Sequence, residues 1–276
     1  MNLDIPGLSD AELQLALKQL TSLPKHEQLE LNTMLTQLEK IKGIEKSQNT
    51  FLDFINHVYT GYKVGAHHAK LAKIFEDIAN GKKKRVIVNI APRHGKSELI
   101  SYLAPAWFLG KHPDKKVIMA SHTADLAVNF GRRVRNLVGS DKYKEVFPGV
   151  ELQSDSKSAS RWGTNYDGEY FAIGVGGALA GRGADLFIID DPHSEQDAKL
   201  GKPEVFLPAW EWFQSGPIQR LMPGGAIIVV MTRWSKLDLT GQIVNQMIKN
   251  DAVDDWEIVE FPAIIEDNDG ETKALW

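Results

Sequence analysis

Residues 86–97 read VIVNIAPRHGKS, an apolar run followed by a short loop that ends in glycine, lysine and serine. The run has the length and composition of a buried strand, and residues 97–109 have the pattern of a helix that Pro105 is expected to kink or end. The loop therefore lies between a strand and a helix N-terminus, where converging backbone N–H groups attract anions. We interpret residues 91–97 as a phosphate-binding loop.

Each residue at the end of this loop suits a nucleotide site. Gly95 lets the backbone approach the phosphates closely, Lys96 is expected to contact the β- and γ-phosphate oxygens, and Ser97 is expected to hold Mg²⁺ through its hydroxyl. Counted back from Gly95, the first glycine of the pattern G-x-x-x-x-G-K-[ST] would fall on Ile90. The loop departs from that pattern and is expected to be one residue shorter.

The rest of the chain alternates short apolar strands with helical stretches. An amphipathic helix is predicted over 126–138, and further strands are predicted at 117–120, 170–173, 186–189 and 226–231. Near-continuous apolar strands separated by helices predict an α/β fold, with a mostly parallel sheet that helices cover on both faces.

The first fifty residues have a different pattern, which is typical of two amphipathic helices. One carries leucines at positions 13, 17 and 20 and is ended by Pro24, and the other has an apolar face over 31–41 and is expected to end at Gly43. We predict an N-terminal helical extension over residues 1–50 and one α/β domain over 51–276.

Two adjacent carboxylates, Asp190 and Asp191, close the apolar strand at 186–189. An acid at a strand end beside a phosphate site is suited to hold Mg²⁺, and Asp190 has this position. Asp191 is placed to orient or deprotonate the attacking water, with Glu195 as the alternative base.

Two more segments carry candidate residues. Residues 174–183 contain five glycines and present Arg182, whose guanidinium suits a γ-phosphate of the same or a neighbouring subunit. The strand at 226–231 is followed by Thr232, which is placed to sense the γ-phosphate. A solvated loop arginine and a strand-end cap explain these two residues equally well.

The composition narrows the classes of function. The formal net charge is −4 and the chain has no cysteine, which excludes a disulfide framework and a cysteine nucleophile. Nucleic-acid contact is expected only from local basic clusters, such as 82–85 and 132–135. The longest apolar run, 226–231, is too short for a membrane span, and we expect no secretory signal.

Taken in order, the motifs resemble those of the large terminase subunit of tailed bacteriophages. The resemblance extends from about His67 to the C-terminus and is carried by PRHGKS at 92–97, PAWFLG at 105–110, GRGAD at 181–185, IDDP at 189–192 and MTRW at 231–234. It implies an ASCE-type P-loop ATPase domain.

The resemblance also implies roles around the phosphate loop. Arg93 corresponds to the arginine within the loop, beside Lys96 and Ser97. His94 and Glu98 are grouped with the loop residues that bind the nucleotide. The segment at His67 falls where an element of the family contacts adenine.

For the other motifs, the resemblance implies that Asp190 is the carboxylate that holds the metal ion. Asp191 stands where the family often has a catalytic glutamate, so the choice between Asp191 and Glu195 stays open. Arg182 lies where an arginine finger that acts on a neighbouring subunit is expected. Thr232 belongs to the motif that couples hydrolysis to movement.

The function implied is a Mg²⁺-dependent ATPase that binds ATP and drives double-stranded viral DNA into a procapsid, in the host cell cytoplasm. Expected partners are the DNA, the portal protein and procapsid, the small terminase subunit and further copies of the chain in a ring, with no membrane. No nuclease fold is expected within these residues. The alternatives are a helicase-like nucleic-acid translocase and an assembly module that binds ATP as a switch with little turnover.

Overall fold

A computed structural model of the protein describes residues 23–200, 202–249, 255–266 and 272–275. The chain separates into two compact units, Met1–Lys46 and Ser47–Trp276. We describe each unit by itself.

The described part of the first unit is helical. Helix α1 covers Lys25–Asn49 and continues past the end of the unit. The helix predicted before Pro24 lies outside the described residues. The predicted end at Gly43 is wrong, because a glycine inside a helix costs only about 1 kcal/mol relative to alanine and the flanking residues favour the helix.

The second unit holds the remaining helices and the strands. The α-helices are α2 (Phe51–Val58), α3 (Ala66–Ala79), α4 (Ala104–Lys111), α5 (Ala124–Val138), α6 (Asp141–Val146), α7 (Glu195–Leu200), α8 (Leu207–Ser215) and α9 (Leu239–Lys249). The strands are β1 (Arg85–Ile90), β2 (Lys116–Ser121), β3 (Leu152–Lys157), β4 (Arg161–Thr164), β5 (Glu169–Gly174), β6 (Ala184–Asp190), β7 (Leu221–Met231), β8 (Glu257–Phe261), β9 (Ile264–Glu266) and β10 (Thr272–Ala274).

Within the described residues, eight strands form one sheet in the order β3-β4-β5-β2-β6-β7-β1-β8. Strands β5, β2, β6, β7, β1 and β8 run parallel, and β3 and β4 join antiparallel at one edge. Strands β9 and β10 pair separately. The mostly parallel sheet confirms the predicted α/β fold.

Helices cover both faces of the sheet, because successive residues of each central strand point to opposite sides. On one face, Val86 and Val88 belong to a core with Trp107 of α4. On the other face, Ile87 belongs to a core with Trp212 of α8. Since both faces are buried, the central strands are apolar at most positions, which is why the sequence indicates them so clearly.

The strand order brings the candidate residues to one edge. Strand β7 lies between β1, which leads into the phosphate loop, and β6, which ends at Asp190. This inserted strand is the arrangement expected of an ASCE-type P-loop fold. The carboxyl ends of β1, β7 and β6 meet at the same edge, which we call the carboxyl edge, and the opposite edge is called the amino edge.

The helix after the loop passes through Pro105 without ending. It begins with a π-helical segment at Glu98–Leu103 and continues as α4. The N–H of Ala104 donates to the carbonyl of Leu99, five residues earlier. This wider turn lets the helix continue through a proline that has no N–H of its own.

Across the part of the chain described here, no helix combines the length and apolar character that crossing a bilayer requires.

Candidate functional site

The phosphate loop is a tight connection with two residues at positive φ. Arg93 has φ 64° and Gly95 has φ 75°. Helical structure begins at Lys96, directly after Gly95. A left-handed conformation is accessible to glycine without steric cost, whereas it is uncommon for an arginine. The loop therefore holds its shape through these two turns, with the exposed Arg93 at the tip.

Lys96 is paired with the candidate base. Its Nζ lies 2.8 Å from Oδ2 of Asp191, and its side chain is only 8% exposed. A phosphate carries more negative charge than a carboxylate, so it can replace Asp191 as the partner of this buried ammonium. The contact shows that the loop and the carboxylate pair form one site.

Asp191 is held from several directions. Its Oδ1 accepts the backbone N–H of Thr232 at 3.0 Å. Its own N–H donates to the carbonyl of Val230 at 2.9 Å, and its carbonyl accepts the N–H of His122 at 3.2 Å. Its φ of 43° is positive, a conformation that aspartate tolerates better than most residues. These contacts fix the direction in which the carboxylate points.

Thr232 ties the ends of three strands together. Besides the contact to Asp191, its hydroxyl donates to the carbonyl of Ile90, the last residue of β1, at 3.3 Å. The residue thus touches both the start of the phosphate loop and the acid that follows β6. A shift of the loop can be transmitted to the carboxylate through Thr232.

Asp190 is buried at the end of β6, with 1% of its surface exposed. The Ser101 hydroxyl donates to its Oδ2 at 2.7 Å. Burial, followed by repulsion from Asp191, raises the pKa of Asp190 to about 6, although the hydroxyls of Ser97 and Ser101 act in the opposite direction. A further positive charge beside Asp190 would therefore be favourable, because it would stabilise the ionised carboxylate.

The residues around Asp190 fit a magnesium ion. Oδ1 of Asp190 has no hydrogen-bond partner among the described residues, although the atom is buried. The Ser97 hydroxyl lies close enough to lower the pKa of this carboxyl. A carboxylate oxygen and a hydroxyl are the hard oxygen ligands that Mg²⁺ accepts, together with phosphate oxygens. Ser97 and Asp190 could therefore hold the ion.

His67, which is expected to contact adenine, lies beneath the phosphate loop. Its Nε2 is 3.2 Å from the carbonyl oxygen of His94, and the Nε2 of His68 is 3.0 Å from the same oxygen. Both rings are buried, and burial lowers the pKa of each. Both histidines thus contact the loop backbone, and the contact of His67 with adenine stays a prediction.

Glu98 points to a neighbouring helix. Its Oε1 pairs with the guanidinium of Arg133 at 2.5 Å, and the same guanidinium stacks over the ring of Tyr102 at 4.0 Å. The carboxylate is thus engaged by α5, and its place among the nucleotide-binding residues stays a prediction. His94 contributes its carbonyl to the histidines below, while its Nδ1 lies 2.9 Å from the carbonyl of Pro92.

Glu195, the alternative base, lies on the surface of α7. Its Oε1 pairs with Lys199 at 2.7 Å, which lowers the pKa of the Glu195 carboxyl. It borders a cavity of about 710 Å³ together with His122 and His193. Since Asp191 is the acid that touches Lys96, the geometry favours Asp191 as the base.

Arg182 lies at the amino edge of the sheet. Its guanidinium stacks on the ring of Phe171 at 3.7 Å and pairs with Glu169 at 3.2 Å. Glu169 is the first residue of β5, so the length of that strand, roughly 16 Å, separates it from the carboxyl edge. The possibility that Arg182 serves the site of its own chain does not fit this position.

A cavity of about 350 Å³ adjoins the phosphate loop on the side of β8. Its lining comes from the start of the loop, the end of β7 and the turn after β8, and includes Pro92, Thr232, Arg233, Phe261 and Ala263. No motif in the sequence marks the turn after β8, so its place beside the loop was not predicted. Ser101 was also missed, although its spacing of four residues from Ser97 places both hydroxyls on one helix face.

The sequence was compared with protein families and known proteins. Residues 87–201 match the model of a family described as the terminase large subunit, T4likevirus-type, N-terminal. The matched segment contains the phosphate loop, Arg182, both carboxylates and Glu195. It confirms the resemblance to the N-terminal part of large terminase subunits. No curated protein matches the sequence.

Several solved structures also match this chain, at low sequence identity. The crystal structure of the HK97 bacteriophage large terminase is 16% identical, with 76% of this chain and 41% of that chain covered and a TM-score of 0.47. A mutant of the Thermus phage P74-26 large terminase ATPase domain is 16% identical, with 76% of this chain and 85% of that chain covered and a TM-score of 0.46. The unmutated domain is 17% identical, with 75% of this chain and 83% of that chain covered and a TM-score of 0.44. This chain spans about two fifths of the HK97 protein.

Proposed function

We propose that this chain is the ATP-hydrolysing motor domain of a large terminase subunit, which drives double-stranded viral DNA into a procapsid. The observation that carries the ATPase proposal is the contact between Lys96 and Asp191 at 2.8 Å. It joins the phosphate-binding loop to the candidate base, next to the buried Asp190. The family match over residues 87–201 supports the motor role.

In this proposal, the triphosphate of ATP lies on the loop. The backbone N–H groups at the helix start and the Lys96 ammonium bind its oxygens. Ser97 and Asp190 hold Mg²⁺, which neutralises negative charge on the β- and γ-phosphates when it is bound. Gly95 is required because the backbone, with its positive φ of 75°, must approach the phosphates closely.

Binding of ATP changes the partner of Lys96. A triphosphate carries more negative charge than one carboxylate, so the ammonium moves from Asp191 to the phosphates. Oδ2 of Asp191 is then released, while Oδ1 stays held by the N–H of Thr232. The released oxygen can accept a proton from the attacking water, so the base becomes active only when ATP is in place.

The cavity of about 350 Å³ on the β8 side is the proposed place for the nucleoside. It begins at Pro92, next to the loop, and is bordered by the ring of Phe261. A site with largely apolar walls and a few polar groups suits a base and a sugar. In this proposal the turn after β8 contacts the base, and the ring of His67 lies 6.3 Å from that of Phe261 in the same region.

We further propose that Arg182 acts on the nucleotide of a neighbouring subunit. The residue lies on a surface turn away from its own phosphate loop, and its pair with Glu169 can be exchanged for a phosphate. An arginine donated across an interface implies a head-to-tail contact between copies, which closes into a ring. The proposed partners are double-stranded DNA, the portal and procapsid, the small terminase subunit and further copies of the chain, in the host cell cytoplasm.

Neither alternative function is favoured by an observation. A nucleotide switch with little turnover would not need a base that is held beside the lysine. The domain division proposed from the sequence, at residues 50 and 51, is retained as a proposal.

Phosphate release in the presence of procapsid, portal and DNA, together with DNase protection of the DNA, tests the proposal. We expect the wild type to hydrolyse ATP and protect DNA, and Lys96→Ala to lose both activities, with turnover reduced at least about a hundredfold. Lys115→Ala, which removes an exposed ion pair at the amino edge, is the matched control. Hydrolysis without any DNA protection would contradict the motor role, and normal hydrolysis by Lys96→Ala would contradict the site.

A further inference from the structure

Two buried imidazoles of α3 converge on one carbonyl of the phosphate loop. The Nε2 atoms of His67 and His68 lie 3.2 Å and 3.0 Å from the carbonyl oxygen of His94. The two rings are 2% and 1% exposed. Neither residue has a part in the mechanism described so far. Burying an imidazole costs free energy unless its ring nitrogens are hydrogen-bonded, so these contacts to the loop matter for the stability of this arrangement.

The ring of His68 is oriented from both sides. Its Nδ1 accepts the backbone N–H of Gly65 at 2.9 Å. A ring nitrogen that accepts carries no proton, so the proton of the neutral ring is on Nε2 and is donated to the carbonyl of His94. Burial, followed by repulsion from His67, lowers the pKa of His68 to about 4, so the ring is neutral at physiological pH.

The ring also lies directly against the next residue of the loop. A Cβ atom built on Gly95 would come within 2.5 Å of Nε2 of His68. Gly95 is thus required for its positive φ and also for the space that the imidazole occupies. The loop and α3 fit together at this point with no room for a side chain.

We propose that His68 is a positioning residue of the phosphate site, whose Nε2–H holds the carbonyl of His94 on the α3 side and thereby directs the N–H of Gly95 to the open side of the loop. No cis peptide bond occurs in the described chain. In a planar trans peptide, the C=O of one residue and the N–H of the next point in opposite directions. The inference rests on the proposed ATPase function.

Two amide substitutions separate the contacts of the ring. The side chain of His68→Gln is long enough to donate to the carbonyl of His94, in place of Nε2. The shorter side chain of His68→Asn can accept the N–H of Gly65, in place of Nδ1, but does not reach the loop. The matched control is His112→Ala, because His112 is a partly buried histidine whose Nε2 also contacts a backbone carbonyl, that of Ala79 at 2.9 Å, away from the loop.

The measurements are equilibrium binding of Mg·ATP and thermal unfolding. We expect His68→Asn to raise the Kd about tenfold, which is the effect of one hydrogen bond, and His68→Gln and His112→Ala to stay within about twofold of the wild type. The melting temperature of His68→Gln should be at or below that of His68→Asn, because the contact to Gly65 is lost. If His68 had only a structural role, the Kd for Mg·ATP would instead weaken in step with the melting temperature across the variants.

The inference is overturned if His68→Asn binds Mg·ATP as the wild type does, or if His68→Gln is as weak as His68→Asn. A measurement on the wild type does not depend on any variant folding: the ¹⁵N shifts of His68 should show Nε2 protonated and Nδ1 unprotonated, and the opposite tautomer would overturn it. A wild type that binds no Mg·ATP would overturn the proposed function as well.

Discussion

The two edges of the sheet carry ion pairs with similar distances but different surroundings. At the carboxyl edge, Lys96 and Asp191 are 2.8 Å apart and the lysine side chain is 8% exposed. At the amino edge, Lys115 and Asp185 are 3.1 Å apart and the lysine side chain is 43% exposed. Exposed pairs contribute little to stability, and a buried charge must overcome a large desolvation penalty. The two pairs differ in their lysines, because the side chains of Asp191 and Asp185 are 28% and 17% exposed. The difference supports the proposal that the buried Lys96 is kept for chemistry.

Arg182 gives the comparison its strictest test, because it belongs to an amino-edge pair but is proposed to act in a neighbouring site. In assembled rings, Arg182→Ala should reduce ATP turnover about a thousandfold, since the developing phosphoryl charge loses a cation, and should leave the Kd for ATP unchanged. The control is Arg161→Ala, because Arg161 pairs with the same Glu169. Equal rates for the two variants would show that Arg182 is only a surface cation.

The second largest effect separates the two candidate bases. Asp191→Asn should lower turnover about a hundredfold, because the carboxylate beside Lys96 can no longer accept a proton. Glu195→Gln should leave turnover unchanged, because Glu195 pairs with Lys199 on the surface. Steady-state phosphate release measures both. An inactive Glu195→Gln beside an active Asp191→Asn would reverse the assignment.

A smaller effect is expected from filling the cavity beside the loop. Ala263→Trp places an indole in the space proposed for the nucleoside, and we expect the Kd for ATP to rise about tenfold while inorganic triphosphate binds as before. Competition binding with the two ligands measures this. If ATP binding is unchanged, or if both ligands weaken together, the nucleoside lies elsewhere.

The smallest effect should come from the exposed pair. Lys115→Ala should change the free energy of unfolding by less than about 1 kcal/mol, because water and salt screen an exposed ion pair, and it should not change ATP turnover. Denaturant unfolding and phosphate release measure these quantities. A loss of turnover would mean that the amino edge also supports the reaction in this chain.

The central strands could be predicted because they are buried on both faces, and burial makes most of their positions apolar. Strand β3 could not, because its residues LQSDSK are mostly polar and it pairs at the edge of the sheet. The predicted end of the second helix at Gly43 failed because one glycine is a weak signal against a long helical run. Helix ends depend on small energies that neighbouring residues can outweigh.

The site was predictable wherever strand ends determine it. Lys96, Asp190 and Thr232 converge because the carboxyl ends of parallel strands share an edge. The contact of His67 with the loop backbone was not predicted, because the sequence does not show on which side of the loop α3 packs. The pairing of Glu98 with Arg133 was not predicted either, because it depends on how two helices pack. Such contacts follow from tertiary structure and have no sequence signal of their own.

A crystal structure with Mg²⁺ and a non-hydrolysable ATP analogue tests the central claim most directly. We predict that the triphosphate lies on the loop, that Lys96 Nζ has moved from Asp191 to the phosphate oxygens, and that the metal lies between Ser97 and Asp190. A nucleotide bound elsewhere, or a Lys96–Asp191 pair that stays intact beside a bound triphosphate, would contradict the account.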